Sequence, residues 1–217
     1  MQDVRLDGYL ALPAAGKGDC VLVLHAWWGL NDTARAICRR LAEAGFVAFA
    51  PDLYHGQVAD TIAGAEALCS TLNAHEERSK AEVAAATAFL SERAGDSDRG
   101  IAVIGFSLGA NFALELAASD PERIRSVVLF YGTGGGDHAK SRAVYLGHFA
   151  ENDDFEPQSS VDGLEEELRS AGRTVTFHCY SGTGHWFFEP DRPQAFNVEA
   201  ASLAWDRTLD FLRRPNS

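Results

Sequence analysis

Short, unbroken runs of apolar residues recur along the chain, separated by longer stretches whose apolar positions fall at helical spacing. Cys20-Val21-Leu22-Val23-Leu24 has no polar position that could face water, as expected of a strand covered on both faces. Between Thr33 and Ala44, Ile37 and Leu41 share one face of a predicted helix, and Gly45 is its stop signal. Phe46 to Ala50 predicts the next strand, ended by Pro51. The Ala- and Glu-rich stretch from Thr61 to Arg93 predicts two helices with a break near Asn73 or Ala74. Ile101 to Ile104 predicts a strand, followed by a helix from Leu108 to Ala118 that Asp120-Pro121 ends. Ser126 to Tyr131 and Ala143 to Gly147 read as two more strands. A helix over Val161 to Ala171, a strand over Thr174 to Tyr180 and a last helix from about Pro193 to Leu212 complete the pattern.

Strands separated by helices imply right-handed crossovers and a mostly parallel, doubly wound α/β sheet with helices on both faces. The opening segment, with Val4, Leu6, Tyr9 and Leu10, fits an antiparallel edge strand. Gly134-Gly135-Gly136 reads as a flexible loop after a strand and only weakly as a phosphate cradle. No Pro-, Gly- or Ser-rich linker and no internal repeat divides the chain, so residues 1–217 are expected to form a single domain.

The balance of charge narrows the function. Lys and Arg total 19 against 31 Asp and Glu, a formal charge of −12, which repels phosphate backbones and anionic lipid and disfavours nucleic-acid or membrane partners. Cys20, Cys38, Cys69 and Cys179 form no C-x-x-C pair, and Cys20 and Cys179 sit in apolar runs where a buried thiol acts as a small hydrophobe. The N-terminus has no apolar stretch of signal-peptide length and no run long enough to span a bilayer occurs, so a cytoplasmic protein is expected.

The chemistry gathers around Gly105-Phe106-Ser107-Leu108-Gly109. A serine on a sharp strand-to-helix turn takes a strained backbone and projects its hydroxyl above the carboxyl ends of the strands. The flanking glycines leave room for the neighbouring strand and helix, and the Leu108 N–H, in the first helical turn, points where an oxyanion would develop. The competing reading is a serine that merely caps the following helix. A serine nucleophile needs a base, which in turn needs orienting, and in this architecture the order along the chain is Ser, acid, His. His178 lies within a predicted strand, whereas His185, between Gly184 and Trp186, lies in the loop beyond it, where the cleft belongs. The loop after the strand at 143–147 offers Glu151, Asp153 and Asp154, and spacing alone does not choose between the two aspartates.

With these elements placed, the chain resembles the dienelactone hydrolase family of α/β-hydrolases from about Val4 to Leu212. The strings that carry the resemblance are His25-Ala26-Trp27-Trp28-Gly29-Leu30-Asn31, Ala50-Pro51-Asp52-Leu53-Tyr54, the Ser107 pentapeptide, His148-Phe149-Ala150-Glu151-Asn152-Asp153 and Gly184-His185. The resemblance implies Asp153 as the acid and the Trp27 N–H as a second oxyanion donor beside that of Leu108, with Trp28 and Leu30 as packing or cleft wall. It also exposes departures. Many members carry a cysteine where Ser107 stands and a glutamate where Ala26 stands; the two changes agree, since a serine needs no carboxylate governing a thiol. Members that hold anionic substrates carry an arginine four residues after the histidine, where this chain has Glu189, an acid expected to oppose such substrates. Arg78 and Arg192 are the candidates to replace it, although both read as surface residues.

The resulting expectation is a serine esterase or lactonase acting on a small-molecule ester or lactone, with no cofactor and no metal, as a monomer or small homo-oligomer. Ser107 is the nucleophile, His185 the base and Asp153 the orienting acid, with Trp28, Tyr54, Phe155, Trp186 and Phe187 as the substrate pocket. No insertion is long enough for a substantial cap. A thioesterase or acyltransferase using the same triad, or a non-catalytic small-molecule-binding module on the scaffold, are the alternatives.

Overall fold

A computed structural model describes residues 6–93 and 99–214. Val4, from the expected edge segment, lies outside them. The strands are β1 (Gly8–Ala11), β2 (Cys20–Leu24), β3 (Val47–Pro51), β4 (Ile101–Phe106), β5 (Ile124–Phe130), β6 (Val144–Ala150) and β7 (Val175–Tyr180). The helices are α1 (Asp32–Glu43), α2 (Ile62–Ala74), α3 (Glu76–Ser91), α4 (Leu108–Ser119), α5 (Gln158–Ser170) and α6 (Val198–Arg213). The strands form one sheet in the order β1-β3-β2-β4-β5-β6-β7. β1 runs antiparallel to β3 and every other pairing is parallel, a doubly wound α/β-hydrolase architecture.

Every residue of β2, β4 and β5 is buried, which is why β2 and β4 read as unbroken apolar runs and β5 does so after Ser126. Alternation divides their side chains between two cores. Val21, Val23, Ala102 and Ile104 pack with Ile37 and Leu41 of α1 and Trp205 of α6. Leu22, Leu24 and Val103 pack instead with Val83 and Leu90 of α3, Leu114 of α4 and Leu168 of α5. Truncating one such leucine to alanine costs about 2–5 kcal/mol. β7 lies at the sheet's edge and is only partly covered, so Cys179, expected in the interior, faces solvent.

Several expected boundaries move. The strand thought to end at Gly147 continues through Ala150, because buried His148 satisfies both ring nitrogens, Nδ1 with the Tyr180 hydroxyl at 2.8 Å and Nε2 with Thr208 Oγ1 at 3.0 Å. Residues 193–197 stay outside α6, which begins only after Asn197, whose side chain accepts the Ala200 N–H. No helix follows Gly134-Gly135-Gly136; the chain passes from β5 to parallel β6 without one, which removes the phosphate-cradle reading.

The chain order turns at β2, with β3 on one side and β4 on the other. Open α/β sheets bind ligands beyond the carboxyl ends of their strands at such a switch point. The loops leaving β2 and β4, with Trp27 and Ser107, flank that crevice.

Candidate active site

Ser107 follows β4 directly, with φ 47° and ψ −112°, a left-handed backbone that L side chains rarely adopt. The surrounding backbone holds it there. Its N–H donates to the Phe130 carbonyl at 2.9 Å, and its own carbonyl accepts the Ala110 N–H at 2.9 Å. The glycines of the pentapeptide are required by contact: a Cβ on Gly105 would lie 2.4 Å from the Gly109 carbonyl oxygen, and one on Gly109 2.2 Å from that of Leu24. This close approach seats the first turn of α4 against the exit of β2, which leads to Trp27. Leu108 opens α4, so its N–H has no partner within the helix.

The Ser107 side chain makes no capping bond to α4, so the helix-cap reading fails. Its Oγ instead lies 2.9 Å from His185 Nε2. On the opposite side of the ring, Nδ1 lies 2.8 Å from both Asp153 carboxylate oxygens. A carboxylate only accepts, so Nδ1 carries the hydrogen and Nε2 presents a lone pair to the serine hydroxyl. Asp153 Oδ1 also accepts the Phe155 and Glu156 N–H groups, each at 2.9 Å, which fixes the carboxylate before it meets the ring. Both the His185 and Asp153 side chains are almost fully buried.

The other loop carboxylates take different work. Glu151 accepts the Gly182 N–H at 2.8 Å, and the Asn152 N–H donates to the Thr183 carbonyl at 3.0 Å, tying the loop after β6 to the one that carries His185. Asp154 lies on the wall of an open cleft of about 380 Å³. Trp28, Phe155, Trp186, Arg192 and His185 also line it, with Asp60 and Asp191. Trp28 and Trp186 pack ring to ring at 5.0 Å, and the Arg192 guanidinium lies 3.5 Å over the Trp28 ring. A larger groove of about 760 Å³, between α3 and α4, contains none of these side chains.

Two expected pocket residues are elsewhere. Tyr54 is buried against His25, with ring centroids 5.1 Å apart, and Phe187 is wholly enclosed between Tyr131 and Tyr180. After Trp186 the chain turns, the Glu189 N–H bonding the Trp186 carbonyl, and this directs Phe187 under the site instead of over it. Arg78 pairs with Glu82 on α3 and does not reach the cleft. Glu189 does not oppose a substrate there either: it is buried and accepts a hydrogen bond from the Tyr131 hydroxyl at 2.8 Å. Burial raises its pKa to about 8. Asp191, which sequence gave no reason to single out, receives Thr33 Oγ1 at 2.7 Å and Asn31 Nδ2 at 3.1 Å, docking the 184–197 segment on the start of α1.

Residues 6–215 match the dienelactone hydrolase family. The chain belongs to the dienelactone hydrolase family. Protein usf of Aquifex pyrophilus is 31% identical over 217 residues, covering 97% of this chain and 94% of that protein. An Aquifex aeolicus protein provisionally named a carboxymethylenebutenolidase is 30% identical over 220 residues, covering 97% and 94%. Among solved structures, a provisionally named dienelactone hydrolase from Klebsiella pneumoniae superposes with a TM-score of 0.83 at 26% identity, covering 96% of this chain and 93% of that one. The structure named m3DLH gives 0.85 at 26% identity, covering 98% and 93%. As a dienelactone hydrolase family member the protein is a hydrolase, and among the described residues no large cap interrupts the fold.

Proposed function

We propose that the protein cleaves carboxylic esters or lactones through an acyl-enzyme on Ser107. The observation that carries this reading is the continuous hydrogen-bonded chain from Ser107 Oγ through both His185 nitrogens to Asp153. His185 Nε2 takes the serine proton as Oγ attacks the carbonyl carbon, and Asp153 holds the tautomer and stabilises the imidazolium. The N–H groups of Trp27 and Leu108 stabilise the developing oxyanion, each contributing on the order of 3 kcal/mol to lowering the barrier. His185 then protonates the departing alkoxide, and a water molecule, deprotonated by the same imidazole, releases the acid.

The substrate class follows from the cleft. Its aromatic walls, Trp28, Phe155 and Trp186, suit an apolar acyl or alcohol part. Three carboxylates, Asp60, Asp154 and Asp191, face one guanidinium, Arg192, which favours uncharged esters and lactones over anionic ones. The test is Ser107→Ala assayed on short-chain nitrophenyl esters and a panel of neutral and carboxylate-bearing lactones. Loss of about 10³-fold or more in kcat is expected, with normal folding. A well-folded variant with undiminished turnover refutes the nucleophile, and preference for the carboxylate-bearing lactones refutes the substrate class.

A further inference from the structure

Behind the imidazole lies a buried pair that the mechanism above leaves unused. The Tyr131 ring meets the His185 ring nearly edge to face, with centroids 5.0 Å apart. Tyr131 is itself held from three directions. Its backbone has φ 36°, left-handed for a residue with a side chain, its N–H donates to the His148 carbonyl at 2.8 Å, and its hydroxyl donates to Glu189 Oε1 at 2.8 Å. Strain of this kind persists where the surroundings over-determine it, commonly beside a reacting centre. Tyr131 and Glu189 are 0% and 3% exposed, so neither group serves solvation.

We propose that Glu189 is a positioning residue: through Tyr131 it fixes the His185 ring between Ser107 and Asp153. The proposal rests on His185 being the base. The neutral acid fits its surroundings. Facing it are Tyr131 from the exit of β5, Asp191 and Arg192 from its own segment, and His25 from the exit of β2, across a cavity of about 10 Å³. His185 and Asp153 lie beyond Tyr131. Arg192 is turned to the Trp28 ring and to the carbonyls of Ala59 and Asp60, and Asp191 carries the same sign as an ionised Glu189. Burial keeps His25 from charging. The Tyr131 hydroxyl and Arg192 both favour the ionised form, but burial outweighs them; a carboxylate formed here grips the phenol more tightly and draws water toward the pair, which shifts Tyr131. That shift displaces the ring that Tyr131 backs.

The experiment compares the pH dependence of kcat for the wild type, Glu189→Gln, Glu189→Leu and Tyr131→Phe on one nitrophenyl ester. Glutamine preserves shape and an acceptor for the phenol but cannot ionise. At about pH 6.5, Glu189→Leu and Tyr131→Phe should lose about tenfold in kcat with little change in KM, and Glu189→Gln should rescue to within about threefold of wild type. Above pH 8 the wild type should fall relative to Glu189→Gln by about tenfold, because only the wild type ionises there. A wild-type to glutamine ratio that stays constant to about pH 9.5, or moves the other way, overturns the proposal, as does a leucine variant as active as glutamine. The two failures separate cleanly. Activity that survives Ser107→Ala sinks the triad itself, whereas Ser107-dependent activity with a flat ratio sinks only the role of Glu189.

Discussion

Replacing Glu189 by glutamine removes one buried proton equilibrium while keeping the acceptor that Tyr131 uses. In the folded protein burial raises this carboxyl to about 8, whereas in the unfolded chain it titrates near 4.3. Between those values the folded state retains a proton that the unfolded state has released. Stability therefore falls as pH rises from about 4.3 to about 8 and levels off above, with a slope of about 1.4 kcal/mol per pH unit. By pH 7 the accumulated loss is about 3–4 kcal/mol. That is an upper bound, because water entry and local opening ease the charged form. His25 and His148 act in the opposite sense: both are buried and held neutral, with pKa lowered by desolvation, so their contribution is lost as pH falls below about 6.5. The two opposing slopes cancel where the unfolded histidines are half protonated, so these groups together put maximal wild-type stability near pH 6.5. Urea unfolding of wild type and Glu189→Gln at pH 5.5 and pH 8 isolates the one group, since the histidines contribute equally to both proteins and cancel. The glutamine variant should gain about 2–3 kcal/mol on the wild type between those two conditions. A difference that does not change with pH, or one that shrinks toward pH 8, refutes the assignment of a neutral buried acid.

Other consequences follow from the same geometry. Ser107 holds a left-handed backbone, so Ser107→Gly should be more stable in urea than Ser107→Ala by about 1 kcal/mol while both are inactive; equal midpoints would mean that the turn stores no strain. Gly109→Ala places a methyl 2.2 Å from the Leu24 carbonyl oxygen and should lower stability by about 3 kcal/mol or abolish folding, whereas a folded variant of wild-type Tm contradicts the packing. Asp153→Asn should reduce kcat by about 10²–10⁴-fold with a small change in KM, because the amide lets the imidazole take the wrong tautomer; unchanged turnover would remove Asp153 from the relay.

Much of this molecule is legible before folding because β2 and β4 carry no polar side chain and the turn residues that follow them do. β2 and β4 announce themselves by composition, and Gly105, Ser107 and Gly109 by their place between an apolar run and an Ala- and Leu-rich helix. Where local pattern misleads, a distant partner is the reason. His148 looks like the end of a strand until Tyr180 and Thr208, far along the chain, satisfy its ring. Cys179 looks buried because nothing in its own segment says that β7 is an edge. Tyr54 and Phe187 carry the chemistry of cleft walls and serve as core, since chain direction after Asp52 and Trp186, not residue type, decides which way they face. Glu189 is the sharpest instance. Read by position it is a charge in the substrate site opposing an anion, and only the Tyr131 hydroxyl and the enclosing loop make it an interior acid.

The proposed reaction depends on one oxygen becoming nucleophilic, and covalent capture reads that directly. Incubation with a fluorophosphonate followed by intact-mass and peptide-level mass spectrometry should show a single adduct on Ser107, formed at a rate that falls sharply in His185→Ala. An adduct on any other residue, or none on the folded protein under conditions in which it hydrolyses esters, would contradict it.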